Sequence, residues 1–116
     1  MRILALLIGT LVLAQHQWPP PGMNCPQRTL VLFEEGPNAG KSKDLFPQHV
    51  AYLLPLLKSG KLISVGPMAK EQSAAGIFAS TDWSEIENLL KDEPYTQAGV
   101  LKVAHHSVWN ACEAAR

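Results

Sequence analysis

Between His49 and Pro67 the hydrophobic pattern changes period once, and this change constrains the fold more than any other stretch. Up to Ser59, the residues Phe46, Val50, Leu53, Leu54 and Leu57 recur at helical spacing. They form one face of an amphipathic helix expected from about Phe46 to Ser59. Gly60 is a good helix stop, because glycine takes left-handed backbone geometry without strain. Lys61 to Val65 then reads as a strand, with Gly66-Pro67 turning the chain. Pro47 suits the first turn of the helix. Pro55 removes a backbone hydrogen bond in mid-helix and should kink it near Ala51. His49 falls on the flank of the apolar stripe, on the side of Tyr52 and Leu56.

The rest of the chain adds three more strands and a helix. In Arg28 to Glu34 the residues Leu30, Val31, Leu32 and Phe33 are apolar without alternation, so both faces of that strand are covered. Helices can cover one face. In a chain of 116 residues, a second copy is the simplest cover for the other, which implies a homodimer. Met68 to Ala74 is a polar connection, and Ala75 to Ser80 is the third strand. The second helix begins near Asp82, which has capping-box spacing to Glu85. Its apolar face is Trp83, Ile86, Leu89 and Leu90, and it ends before Glu93-Pro94, because a residue preceding proline avoids helical geometry. Gly99 opens the last strand, Val100 to Trp109. There Leu101, Val103, His105, Ser107 and Trp109 share one face by alternation. The order β-α-β-β-α-β with right-handed crossovers is the ferredoxin-like α+β sandwich, with strand order 4-1-3-2 and both helices on one side.

The ends of the chain speak to compartment. Arg2 is followed by an uncharged apolar run from Ile3 to Ala14. A positive start, a short apolar stretch and small residues at its end describe a secretory signal peptide, residues 1–14, cleaved after Ala14. The run is too short to span the ~30 Å hydrocarbon core as a helix. The mature protein is therefore expected in a periplasmic or extracellular space, with no membrane attachment. Residues 15–27 contain Pro19, Pro20 and Pro21 and read as an extended tether. Residues 28–110 form the domain, and 111–116 a tail. Cys25 and Cys112 are the two cysteines of the chain. The strand order puts the residue before strand one near the residue after strand four, so an oxidising compartment would join them as a disulfide.

Several functions are excluded. Ten basic residues balance ten acidic ones, so the chain lacks the field that draws proteins to nucleic acid. GPNAGKS, Gly36 to Ser42, mimics a phosphate loop, but Gly36 and Gly40 enclose three residues, one short of that motif, and Pro37 removes a donor. His105 and His106 are adjacent on a strand and point to opposite faces, so they cannot share one metal ion. No cofactor motif is present.

The strand end with its GPN loop (Leu32 to Asn38), His49, Gly60-Lys61-Leu62, Gly66-Pro67, the segment Glu93 to Val100 and the closing Val108-Trp109-Asn110 occur in an order that resembles the YCII-related family. The resemblance covers residues 28–110. It implies a dimeric α/β barrel of ferredoxin-like subunits and an active pair of histidine and aspartate. The histidine corresponds to His49. The aspartate position holds Glu93, with Asp92 one place earlier, and either carboxylate can serve. Some relatives resemble lyases that eliminate hydrogen halide from chlorinated phenols, which is proton transfer without a cofactor.

Two functions follow. In the first, His49 is a general acid or base of a lyase or isomerase, Glu93 or Asp92 orients it, and Gly66, Pro67, Tyr52 and Tyr95 line the place where a small molecule binds. In the second, the chain is a non-catalytic dimeric module that binds a small ligand or serves a structural purpose.

Overall fold

The structure, a computed structural model, describes residues 17–70 and 72–116. The run read as a signal peptide lies outside them. In chain order the elements are β1 (Met23–Asn24), β2 (Gln27–Glu35), a 3-10 turn at Ala39–Lys41, α1 (Ser42–Ser59), β3 (Leu62–Pro67), β4 (Ala74–Phe78), α2 (Trp83–Lys91), α3 (Pro94–Gln97), β5 (Leu101–Asn110) and β6 (Glu113–Ala114). No described helix is long and apolar enough to cross a membrane.

The described residues divide into two compact units. The smaller holds residues 17–26 and Asn110–Arg116. In it β1 pairs antiparallel with β6, Met23 opposite Ala114 and Asn24 opposite Glu113, and Cys25 is joined to Cys112. The stretch expected to be an extended tether is therefore partly built into a ribbon. The Met23 N–H turns back to the Pro20 carbonyl at 3.1 Å, a contact that an extended polyproline rod does not make. The tail after residue 110 supplies the partner strand.

The larger unit, Gln27–Trp109, is a ferredoxin-like sandwich of the dimeric α/β barrel type. Its sheet has the order β3-β4-β2-β5, the expected arrangement. β2 and β3 both run antiparallel to β4. β5 runs against β2 as well, since Gly36 donates to Val100 and Asn38, further along, donates to the earlier Gly99. Alternation along β2 sends Thr29, Val31 and Phe33 into the core. There the two apolar side chains meet Leu62, Phe78, Ile86 and Leu90. The buried Thr29 hydroxyl is satisfied by the Ser80 carbonyl at 2.7 Å. Leu30 and Leu32 face the other way and are half-buried within the single chain.

Four details differ from the sequence expectation. α1 starts at Ser42, so Pro47 lies inside it, and the helix continues through both Pro47 and Pro55. Gly66 and Pro67 belong to β3 rather than to a turn, with Pro67 opposite Ala74. β3 is an edge strand, where a residue without an N–H is tolerated. The short helix α3 starts at Pro94, which occupies its first turn. Finally, Leu101 and Val103 pack against the core, as does Trp83, and His106 stacks on Trp83 at 3.6 Å. Strict alternation along β5 would have put His105 on that side.

Candidate functional site

The site is built where α1, α2 and α3 come together. α2 is capped at its start by Asp82, whose carboxylate accepts the Ser84 N–H at 3.0 Å. It ends at Asp92. Glu93 then takes extended geometry, as a residue before proline must. Pro94 begins α3, whose missing N–H is one that the first turn does not use. This makes Glu93 the N-cap residue, and its Oε2 accepts the Tyr95 N–H at 2.6 Å.

The same carboxylate faces α1. His49 Nδ1 stands 3.1 Å from Glu93 Oε1 and 3.2 Å from Oε2. Glu93 is 4% exposed, so its charge is held by these two partners rather than by water. Where Glu93 is ionised it can only accept, so Nδ1 is then the donor and Nε2 is the ring nitrogen left to exchange a proton. Tyr95 lies flat on the imidazole, ring centroids 3.7 Å apart. Its hydroxyl donates to the Ser42 carbonyl at 2.7 Å, tying α3 to the first turn of α1.

The GPN loop braces this segment instead of holding a phosphate. Gly36 N–H donates to the Val100 carbonyl at 2.9 Å and Asn38 N–H to the Gly99 carbonyl at 2.8 Å. The Asn38 side-chain amide donates to the Ala98 carbonyl at 2.9 Å. A Cβ on Gly36 would overlap the Gly99 carbonyl, and Gly99 itself has φ of +75°. Both glycines are required by this close approach of backbones.

The remaining predicted residues separate into two groups. His49, Glu93, Tyr95, Gly66 and Pro67 all line one cavity of about 370 Å³. Tyr52 and Asp92 are not among its lining residues. Tyr52 donates its hydroxyl to the Leu89 carbonyl at 2.7 Å and so ties α1 to α2. Asp92 is exposed at the end of α2, and Glu93 is the carboxylate that reaches the imidazole. Burial raises the pKa of Tyr52, with the Asp92 and Glu93 charges adding to it. Burial and Glu93 raise that of Tyr95. Both phenols thus remain donors at neutral pH. Among the described residues no group of three or more His, Cys, Asp or Glu could hold a metal ion.

Sequence reasoning missed the wall of the cavity. Phe46, Val50, Leu54 and Leu57 read as the apolar face of an amphipathic helix, yet no residue of α1 is buried. Phe46 is 56% exposed and Leu54 45%, and all four line the cavity. Their spacing is that of an ordinary packed face, and no signal in the sequence tells it from a cavity wall.

A search of curated proteins finds no match. Among solved structures, this chain is similar to the 5-chloro-2-hydroxyhydroquinone dehydrochlorinase of Burkholderia phenoliruptrix AC1100, determined in complex with 2,5-dihydroxybenzoquinone. The two share 21% identity over 69% of this chain and 89% of that one, with a TM-score of 0.51, a likeness of fold. The model of the YCII-related domain matches residues 28–110. With that match spanning the whole sandwich and its cavity, the chain belongs to the YCII-related domain family.

Proposed function

We propose that this protein is an exported, homodimeric member of its family in which His49 moves a proton on a small organic molecule, as a cofactor-independent lyase or isomerase. The observation that carries this reading is the contact of His49 Nδ1 with the buried Glu93 carboxylate, at the edge of a cavity large enough for a ligand. Nε2 takes a proton from the bound molecule, and the imidazolium that forms is stabilised through Nδ1–H by Glu93. In an elimination, the electron pair of the broken bond to hydrogen expels the leaving group as an anion. The proton stays on His49 until water removes it. In an isomerisation, the same nitrogen returns the proton to another atom. A fold neighbour that is a dehydrochlorinase supports the elimination.

Leu30 and Leu32, half-buried on the sheet face away from the helices, support the homodimer. The apolar run at residues 3–14 and the Cys25–Cys112 disulfide support export.

The test is halide release from chlorinated hydroxyquinols, and solvent-deuterium exchange into enolisable ketones, by wild type and His49→Ala. Loss of at least ~100-fold in rate is expected. Turnover unaffected by the substitution overturns the reading.

One observation favours a second reading, a binding module without chemistry. The polar side chains lining the cavity are His49, Glu93 and Tyr95, and the Tyr95 hydroxyl is already engaged by Ser42. Among the described residues, a developing oxyanion would find no further donor side chain there.

A further inference from the structure

We propose that the ligand of this cavity is an uncharged molecule with one weakly acidic group, set against His49, and a hydrocarbon substituent about as large as a second ring, lying along α1 towards Leu57. This rests on the proton-transfer reading for the position of the acidic group, and on the cavity wall for everything else.

The wall carries no lysine or arginine among its described residues. An anionic ligand would therefore enter beside the buried Glu93 carboxylate with only the His49 imidazole, already paired to that carboxylate, to balance it, and such a charge is disfavoured there. The polar atoms are gathered at one end, where His49, Glu93 and Tyr95 meet. From there the lining runs along α1 through Leu53 and Leu54 to Leu57. At the helical rise, His49 to Leu57 is about 12 Å. Leu62 and Phe78 of the sheet also line the cavity and are core residues.

Size points the same way. An apolar protein cavity of about 150 Å³ takes up benzene, and this one is about 370 Å³. It has room for a ring and an apolar group of similar bulk. Phe46, Val50 and Leu54 are 56%, 41% and 45% exposed while lining it, and a hydrocarbon substituent would cover such surfaces. A polyhydroxylated ring would instead set hydroxyls against leucines, and each one left unpaired lowers affinity by roughly tenfold or more.

The experiment is calorimetric titration of the full chain with para-alkylphenols from methyl to hexyl, and with para-hydroxybenzoate. Kd is expected to fall roughly threefold to fourfold per added methylene, and the carboxylate to bind more weakly than the methyl compound. Leu54→Gln should flatten the slope, and His49→Gln should weaken the whole series by a common factor with the slope kept. A flat series in the wild type, or tighter binding of the carboxylate, overturns the proposal whether or not the variants fold. A steep series with no turnover on any substrate upholds it and sinks the proton-transfer reading alone. Turnover of hydroxyquinols with a flat series does the reverse.

Discussion

The phenol of Tyr95 lies on the imidazole of His49, 3.7 Å between centroids and 9° from parallel, while its hydroxyl reaches back to the Ser42 carbonyl. One residue of α3 thus fixes both the start of α1 and the plane of the ring carried seven residues further along. A ring held by stacking on one face and by a carboxylate at Nδ1 has little rotational freedom, which is what a proton-transfer group requires.

The two contacts of Tyr95 can be separated. Tyr95→Phe keeps the stack and loses the bond to Ser42, and should lower stability by about 1 kcal/mol. Tyr95→Leu removes the stack as well, for about 1 kcal/mol more, and should also reduce turnover because the imidazole is freed. Urea unfolding of the two variants, together with their kcat values, gives the comparison. Equal kcat in both would show that the stack has no positioning role.

Glu93 has two duties at the same carboxylate, and Glu93→Asp divides them. Aspartate is a good N-cap, so the Tyr95 N–H keeps an acceptor, while drawing a buried carboxylate away from one of its two partners should lower stability by about 1–3 kcal/mol. The side chain is one methylene shorter, which withdraws the oxygens from His49. A misplacement of about 1 Å can lower a rate by roughly 100-fold. Thermal melts paired with single-turnover rates decide this. A stable variant with full activity would show that the 3.1 Å contact is not used in the reaction.

The raised pKa values of Tyr52 and Tyr95 give the fold a weakness to alkali. Each phenol is neutral and hydrogen-bonded in the native state, with its pKa above the ordinary 10.0. Above pH 10 the unfolded chain releases these protons while the native state retains them, so stability falls as pH rises. Below pH 10 their contribution is fully present. Denaturant midpoints should decline above pH 10, and Tyr52→Phe should lessen the decline. A slope unchanged by that substitution would assign the loss to other groups.

Much of the fold can be read from residue pattern because it rests on local rules. The apolar run Leu30 to Phe33 and the stop at Gly60 each specify an element without reference to distant residues. What pattern does not specify depends on partners far along the chain. Pro67 sits in a strand because β3 is an edge, which follows from the completed sheet. β1 exists because β6 lies opposite it, and nothing in Met23-Asn24 alone asks for a strand. At the site, His49 and a nearby carboxylate could be singled out in the sequence. The choice of Glu93 over Asp92 turns on the cap of α3, where one residue points inward and its neighbour outward. Tyr52 and Tyr95 look equivalent as sequence, yet one hydroxyl ties α1 to α2 and the other ties α3 to α1.

The disulfide should matter because the loop it closes is long. Cys25 and Cys112 are 87 residues apart, and on the chain-entropy account a loop of that length stabilises by roughly 4.6 kcal/mol, less any strain in the folded state. Cys25→Ser with Cys112→Ser should therefore lower the denaturant midpoint while leaving the His49–Glu93 contact in place. Comparing unfolding of the variant with that of wild type, reduced and oxidised, tests this. Identical curves for all three would show that the bond contributes nothing to folding.

Gly36 is not among the residues lining the cavity. Gly36 ends β2 where its backbone meets that of Gly99, and its N–H is bonded to Val100. In Gly36→Ala the new methyl meets the Gly99 carbonyl, and since the obstacle is backbone the segment before β5 must move. Overpacking of this kind lowers stability by typically 1–3 kcal/mol. The movement is passed to α3, because the Asn38 bonds to Ala98 and Gly99 hold the same segment. Glu93 and Tyr95, which begin it, should shift against His49. Gly36→Ala is therefore expected to reduce kcat by at least tenfold at a temperature where it remains folded. Asn38→Ala, which removes the Ala98 bond without crowding, should have a smaller effect in the same direction. Retention of full activity by a destabilised Gly36→Ala would show that the loop braces the fold but not the site.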